Sequence, residues 1–408
     1  MLDLIIIGGG MAGMTAALYA LRNNKKVLIR VDFNVPVDDN NNVIDDTRII
    51  SALPTIKYLM NNNAKVILCS HLGRPKGVFN DNFSMKIVHP TLERVLGTSV
   101  KLATDVIGES AKKLASELQE GEVMLLENVR FHKEEEENDE EFAKELASLA
   151  DVFVLDAFGT AHRAHASTAG IARYIPAVAG FLVAKEVTEI ERATVNPTRP
   201  SVVIFGGKKV SDKIGVISSM LDKANAILIG GAMAFTFIVA QGGEIGLSRY
   251  EKDKVELAKQ ILELADKKNV RVYLPVDSVV TREFSPTAKA KVVDSYKIPA
   301  DCQSMDIGPK TRKLFAKVIK NAKTVIWNGP MGVYEFKKFQ KGTVAVAKAI
   351  AKSDAISIVG GGDSAAAVNE SGYASRITHI STGGGATLEL LEGKELPGIA
   401  MLNEKEED

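Results

Sequence analysis

Short apolar runs recur along the whole chain, each followed by a loop and then a helical stretch: VLIRV, AKVILCS, VMLLEN, VFVLDA, SVVIFGG, AILIGG, VYLPV, TVIWNG, AISIVGGG and THISTGG. A strand that is apolar along its length has no face to give to water. It needs neighbours on both sides, and strands alternating with helices meet that need as parallel sheets covered on both faces. The expected class is α/β, with doubly wound, Rossmann-like parallel sheets. At 408 residues the chain is long for one core and comfortable for two. The segment AKEVTEIERATVNPTRP, residues 184–200, carries a helical pattern stopped by Pro197 and Pro200 and holds no strand. It is expected to be a helical connector between two lobes.

Charge narrows the partners. Lys plus Arg, 51, equals Asp plus Glu, 51, and no polybasic tail occurs, which argues against nucleic acid or an anionic membrane as the main partner. Cys69 and Cys302 stand apart, outside any CxxC or metal-ligand spacing. A reducing, cytoplasmic setting follows as the expectation. The acidic run KEEEENDEEFAKEL, residues 133–146, reads as the solvated face of a helix.

Open parallel sheets bind ligands at the carboxyl ends of their strands. Before residue 184 those ends carry Asp32 and Asn34, then His71 and Arg74 in SHLGRP, Arg130 in ENVRF, and His162, Arg163 and His165 in GTAHRAH, with Arg48 added from DDTRI. Guanidinium groups gathered on one edge make an anion site, because their planar fork matches phosphate and carboxylate oxygens. After residue 200 the ends are glycine-rich: GGKK (206–209), GGAM (230–233), NGPMG (328–332), GGGDS (360–364) and STGGG (381–385). Such turns let backbone N–H groups approach phosphates, and the helix that follows adds its dipole. The second half therefore reads as a nucleotide site, though not of the GxxxxGK[ST] type, and no zinc-ligand spacing occurs.

The opening is different. Residues 2–22 form an apolar run, a turn with Gly8, Gly9, Gly10 and Gly13, and a helical pattern with Met11, Met14, Leu18 and Leu21 on one face. It resembles the flavin-binding start of thioredoxin reductase-like proteins. A dinucleotide fingerprint needs an acidic residue at the end of its second strand, and Val31 stands there. The expectation is a scaffold segment that binds no flavin.

RVDFNVP, DDTRI, SHLGRP, LLENVRF, LDAFGTAHRAHAST, GGKKVSDKIGVI, NGPMGVYEF, GGGDSAAA and STGGGATLE occur in this order over residues 25–408. Together they resemble the successive motifs of the phosphoglycerate kinase family. The resemblance implies a glycolytic phosphotransferase that moves a phosphoryl group between 1,3-bisphosphoglycerate and Mg-ADP, giving 3-phosphoglycerate and ATP. It implies a phosphoglycerate lobe over 25–183, a hinge over 184–200 about which the lobes close, and a nucleotide lobe over 201–385. It also implies a tail, 386–408, that returns to the first lobe, and a monomer.

By the same resemblance Asp32, Phe33, Asn34, Arg48, His71, Leu72, Gly73, Arg74, Arg130, His162 and Arg163 hold the phosphoglycerate, with Arg48 near the transferring group. Lys209 and Lys213 contact phosphates, and Gly383, Gly384 and Gly385 lie by the γ-phosphate. Gly231, Gly329, Glu335, Gly361, Gly362, Asp363 and Ser364 serve the nucleotide, with Asp363 as the Mg2+ contact. Lys208 departs from the family, where a small residue is usual, and is expected to face solvent. Two other readings stay open: a catalytically impaired relative with a replaced N-terminus, and an FAD- or NAD-dependent oxidoreductase resting on residues 2–22.

Overall fold

The computed structural model describes residues 25–402. The strand, glycine turn and helix expected over 2–22 lie outside the described residues. The chain divides into two compact units. One holds the described residues through Thr188 together with those from Glu395, and the other is Glu189–Lys394.

The first unit is built on β1 (Lys26–Val31), β2 (Lys65–Cys69), β3 (Val100–Leu102), β4 (Val123–Leu125), β5 (Val152–Asp156) and β6 (Ala177–Ala179). They form a six-stranded sheet in the order β3-β4-β2-β1-β5-β6. Every pairing is parallel. Ile29 of β1 sits in register with Leu68 on one side and Val154 on the other, and all three are buried. Val27, Ile29 and Val31 share a core cluster with Ile49, Ile56 and Leu59 of the helix Thr47–Asn61. Burial of each such side chain contributes about 1.5–3 kcal/mol before ordering costs. From β1 the chain moves to β2 on one side, and from β5 it moves to β6 on the other. The crevice at their carboxyl ends is thus the topological switch point, where such sheets bind ligands.

The acidic run departs from expectation. Residues 133–146 form two helices, Lys133–Glu137 and Glu140–Ala147, separated by Asn138 at φ 55°. Asp139 caps the second by accepting from Phe142 N at 2.9 Å. Glu135 is fully buried, where its carboxylate accepts from Ser167 N at 2.8 Å and from Ser167 Oγ at 2.6 Å. The charge density of the run concealed a carboxylate whose partner lies far along the chain.

The helix Phe181–Thr194 starts on Asp156, which accepts from Leu182 N at 2.9 Å, and the boundary between the units falls within it. The second unit is built on β7 (Ser201–Phe205), β8 (Ala226–Ile229), β9 (Arg271–Tyr273), β10 (Thr324–Asn328), β11 (Ile356–Gly360) and β12 (His379–Ile380). Their order is β9-β8-β7-β10-β11-β12, again all parallel. The switch point lies between β7 and β10. An antiparallel sheet is added, in which Asp277–Thr281 pairs with both Lys291–Asp294 and Gln303–Ile307. Its outer strands are partly exposed, and all three carry charged or polar residues, so no apolar run announced them.

The helix Gly385–Glu392 packs in the second unit, where Leu391 O lies 3.4 Å from Ser219 Oγ. The chain rejoins the first unit at Glu395, and Gly398 N donates to Ala161 O at 2.9 Å. Cys69 and Cys302 are buried free thiols. Among the described residues no helix is long and apolar enough to cross a membrane.

Candidate active-site residues in the two units

In the first unit the strand ends are tied to one another before any ligand is considered. Asp32 follows β1, and its carboxylate accepts from Arg48 Nη1 at 2.8 Å and from Asn34 N at 3.2 Å. Asn34 Oδ1 in turn accepts from Gly73 N at 2.8 Å, which joins the loop after β1 to the loop after β2. Gly73 has φ +62°, and a Cβ there would lie 2.4 Å from the Phe83 ring, so the position admits only glycine. Its carbonyl accepts from Arg130 Nη1 at 2.9 Å.

Arg130 is buried, and its remaining nitrogens, Nε and Nη2, have no hydrogen-bond acceptor among the described residues. Glu136 Oε1 stands 3.4 Å from Nε, an ion pair without hydrogen-bond geometry. Burial brings the Arg130 pKa down to about 10. A buried guanidinium of this kind presents the donors that an anion takes.

The histidines report the same field. His71 is buried, and burial, then Arg30, Arg130, Arg163 and Arg48, hold its pKa well below the ordinary value. The His165 pKa is lowered to about 4 by burial and then by Arg130, Arg163, Arg30 and His162. Arg163 Nε lies 3.4 Å from His162 Nε2. Arg48, His71, Arg130, His162 and Arg163 are thus brought together, whereas Arg74 is exposed and enters none of these contacts. Phe33 and Leu72 place their side chains in the core cluster. Phe33 N is taken by Ser70 Oγ at 2.8 Å, and Leu72 O by Asn128 Nδ2 at 2.7 Å, so both shape the loops from below.

Several residues of this edge escaped the motif reading. Arg30 is fully buried inside β1, Asn128 holds both Leu72 O and Phe83 O, and Glu127 accepts from Met85 N at 3.1 Å and from Ser84 Oγ. The available signal was a single charge within an apolar strand, as in VLIRV, which must find a buried partner.

In the second unit a cavity of about 700 Å3 opens near the carboxyl ends of β7, β8 and β10. That is within the range of about 300–1,000 Å3 typical of small-ligand sites. Its walls include Gly207, Lys208, Gly231, Met331, Glu335 and Asp363. Lys208 is exposed and also lines the cavity, so the extra cation stands at the pocket itself. Lys209 is exposed and lies outside that lining. Lys213 Nζ donates to Asn328 Oδ1 at 2.6 Å, and burial lowers its pKa against the opposing pull of Asp212 and Asp363.

The helices Gly362–Glu370 and Gly385–Glu392 start from Gly361 at φ +89° and Gly384 at φ +52°. Both therefore begin at the carboxyl-end side of the sheet, where their first N–H groups lack carbonyl partners within the helix. Gly383 N lies 3.2 Å from Ser381 Oγ, which shapes the turn into the second of them. Ser364 is buried, and its Oγ accepts from Gly329 N at 2.7 Å, which ties the helix to the loop after β10. Gly329 packs on Gly206 backbone, with room for no Cβ.

An arginine-rich sheet edge in one unit and a glycine-lined cavity in the other suit an α/β enzyme that acts on anionic small molecules. The family model described as phosphoglycerate kinase matches residues 18–394. The phosphoglycerate kinase of Clostridium botulinum (strain Alaska E43 / Type E3) is 56% identical over 383 residues, 93% of this chain and 96% of the relative. That of Clostridium perfringens (strain 13 / Type A) is 55% identical over 384 residues, with the same shares. Among solved structures, phosphoglycerate kinase from Coxiella burnetii matches with a TM-score of 0.84 at 45% identity, and that from Pyrococcus horikoshii OT3 with 0.81 at 35%. Each covers 93% of this chain and 96% of its own.

The chain belongs to the phosphoglycerate kinase family. It is a glycolytic phosphotransferase, which reversibly transfers a phosphoryl group from 1,3-bisphosphoglycerate to ADP to give 3-phosphoglycerate and ATP. A family model described as FAD binding domain matches residues 3–31 only, and the end of that match is β1, the strand paired with β2 and β5 in the first sheet. An oxidoreductase is not favoured.

Proposed function

We propose that the arginine-rich edge of the first unit holds the phosphoglycerate and that the cavity of the second holds the adenine nucleotide. The observation that carries the first assignment is the field of Arg48, Arg130 and Arg163 on His71, next to an Arg130 with buried, acceptor-free nitrogens. Asp32 is an acceptor among donors, and the one donor that phosphoglycerate carries besides its acid groups is the 2-hydroxyl. The carboxylate therefore selects for that hydroxyl while it orients Arg48. Asn34, Gly73 and His162 complete the loop edge, with Phe33 and Leu72 supporting it from the core and Arg74 at its rim.

In the second unit Gly231 lets the cavity wall approach the nucleotide, and Glu335 accepts from ribose hydroxyls. Lys209 and Lys213 supply positive charge to the phosphates, and the turns at Gly329, Gly361, Gly362, Gly384 and Gly385, with Ser364 beneath, present backbone donors. Phosphoryl transfer needs little covalent help from protein and much fixed charge around the equatorial oxygens.

The donor set also fits Mg2+. Asp363 is an exposed carboxylate at the cavity, and among the described residues no cluster of His, Cys, Asp or Glu could cage a metal. A magnesium ion would be held by Asp363 and by nucleotide phosphate oxygens, as is usual for this cation, and would neutralise phosphate charge. The protein is proposed to act as a cytoplasmic monomer with no nucleic-acid or membrane partner.

Two measurements test these assignments. Arg163→Ala is expected to raise the KM for 3-phosphoglycerate by roughly tenfold with a smaller change in kcat, since it removes one charged contact from the anion site. An unchanged KM in the coupled assay would remove Arg163 from the site. Residues 1–24 are proposed to bind no flavin, because Val31 stands where the ribose-binding acid belongs. Protein purified with flavin supplied should show no flavin absorbance, and a band near stoichiometric occupancy would reverse that assignment.

A further inference from the structure

We infer that Arg30 is a positioning residue, which holds His71 as the neutral tautomer with its proton on Nε2. A guanidinium has five N–H donors and no lone pair, so it can only donate. Arg30 Nη2 lies 3.1 Å from His71 Nδ1, so Nδ1 must offer its lone pair and cannot carry a proton. The ring proton is then on Nε2, on the opposite edge of the ring from Arg30. An imidazolium would set N–H against N–H.

Arg30 is itself held on every side. Its Cα is in register with Cys69 of β2 and Leu155 of β5, and the side chain has no exposed surface. Nη1 donates to Val31 O, and Nε donates to Ser167 Oγ at 2.8 Å. The Ser167 hydroxyl in turn donates a hydrogen bond to Glu135 Oε1 at 2.6 Å. The buried carboxylate of the acidic run therefore fixes the serine, the serine fixes the arginine, and the arginine fixes the histidine. The other charges acting on the ring, Arg48, Arg130 and Arg163, are all positive and oppose its protonation together with burial.

The consequence for the reaction rests on His71 belonging to the phosphoglycerate site. An unperturbed imidazole titrates near neutrality and switches between tautomers. His71 instead offers one neutral N–H donor at a set place, suited to an anionic oxygen, while the positive charge of the site stays on the arginines.

The ring can be read directly. Long-range proton–nitrogen correlation spectra of the nitrogen-labelled full-length protein separate the Nε2–H tautomer, the Nδ1–H tautomer and the imidazolium, with His71 assigned by its loss in His71→Gln. The expected pattern at neutral pH is a single Nε2–H tautomer. An Nδ1–H or imidazolium pattern overturns the proposal whatever any variant does. Arg30→Met removes the donor, and a mixture of tautomers is then expected with a rise of roughly tenfold in the KM for 3-phosphoglycerate. Retention of the pure Nε2–H form in a folded Arg30→Met protein also overturns it. If that variant does not fold, the parental spectrum alone decides. An unchanged KM in His71→Gln would instead remove His71 from the substrate site and leave the tautomer result standing.

Discussion

Replacing Arg48 or Lys209 by alanine is expected to cost about 2–4 kcal/mol of activation free energy, seen mainly in kcat. Both cations are proposed to act on charge that develops as the phosphoryl group moves, so their loss weakens the transition state more than the bound ground state. Arg48 is poised for this role by geometry. Its Nη1 is anchored on Asp32 at 2.8 Å, while 39% of the side chain remains exposed. The anchor sets the direction of the fork and leaves other donors available. Removing Arg48 also leaves the Asp32 carboxylate uncompensated beside an anionic substrate, so Arg48→Ala should exceed the loss in an Asp32→Asn, Arg48→Ala double variant relative to Asp32→Asn alone. Steady-state ATP formation in a coupled assay separates kcat from KM. Near-parental kcat in both single variants would show that the reacting charge is met elsewhere.

Gly231→Ala is expected to destabilise the second unit by about 3 kcal/mol and to raise the nucleotide KM with it. Gly231 has φ +66°, and a Cβ there would lie 2.5 Å from Gly207 N, 2.6 Å from Gly207 O and 2.9 Å from Pro330 O. These are backbone atoms of the loops after β7 and β10, which cannot turn aside as a side chain can. Alanine therefore adds displacement of the cavity wall to the strain of a left-handed residue, which alone is roughly 1 kcal/mol. Gly393→Ala is the control for that strain. Gly393 caps a helix of the same unit in the left-handed region, at φ 81° and ψ 19°, and a Cβ there meets nothing within 4 Å, so only the smaller cost applies. Thermal unfolding of the two variants should separate the terms. Equal shifts would mean that the Gly207 and Pro330 contacts carry no weight.

Ten of the twelve parallel strands were legible because burial on both faces leaves few polar positions in a strand, whereas the three-residue edge strands β3 and β6 were not. VLIRV, AKVILCS and SVVIFGG each appear as interior strands of parallel sheets. The glycine-rich strand ends were legible for a local reason too, since Gly361 and Gly384 adopt backbone angles that favour glycine at a helix start. The added antiparallel sheet was not. Lys291–Asp294 is mostly exposed, and its pairing with Asp277–Thr281 is set by register rather than by hydrophobicity.

By itself, then, the sequence determined which residues become buried strands, where the turns that need glycine fall, and which family the ordered motifs match. Each depends on properties that neighbouring residues share along the chain. What only the tertiary structure decided is the burial and the partners of single groups. Arg30 reaches Ser167 and His71, Glu135 is sealed beneath Ser167, Arg130 is fastened to Gly73, and Lys208 lines the cavity. Charge on a side chain says what it can bind. Whether it meets water, a carboxylate or another cation is settled by partners far away in sequence, and the free energy of a charge depends chiefly on those surroundings.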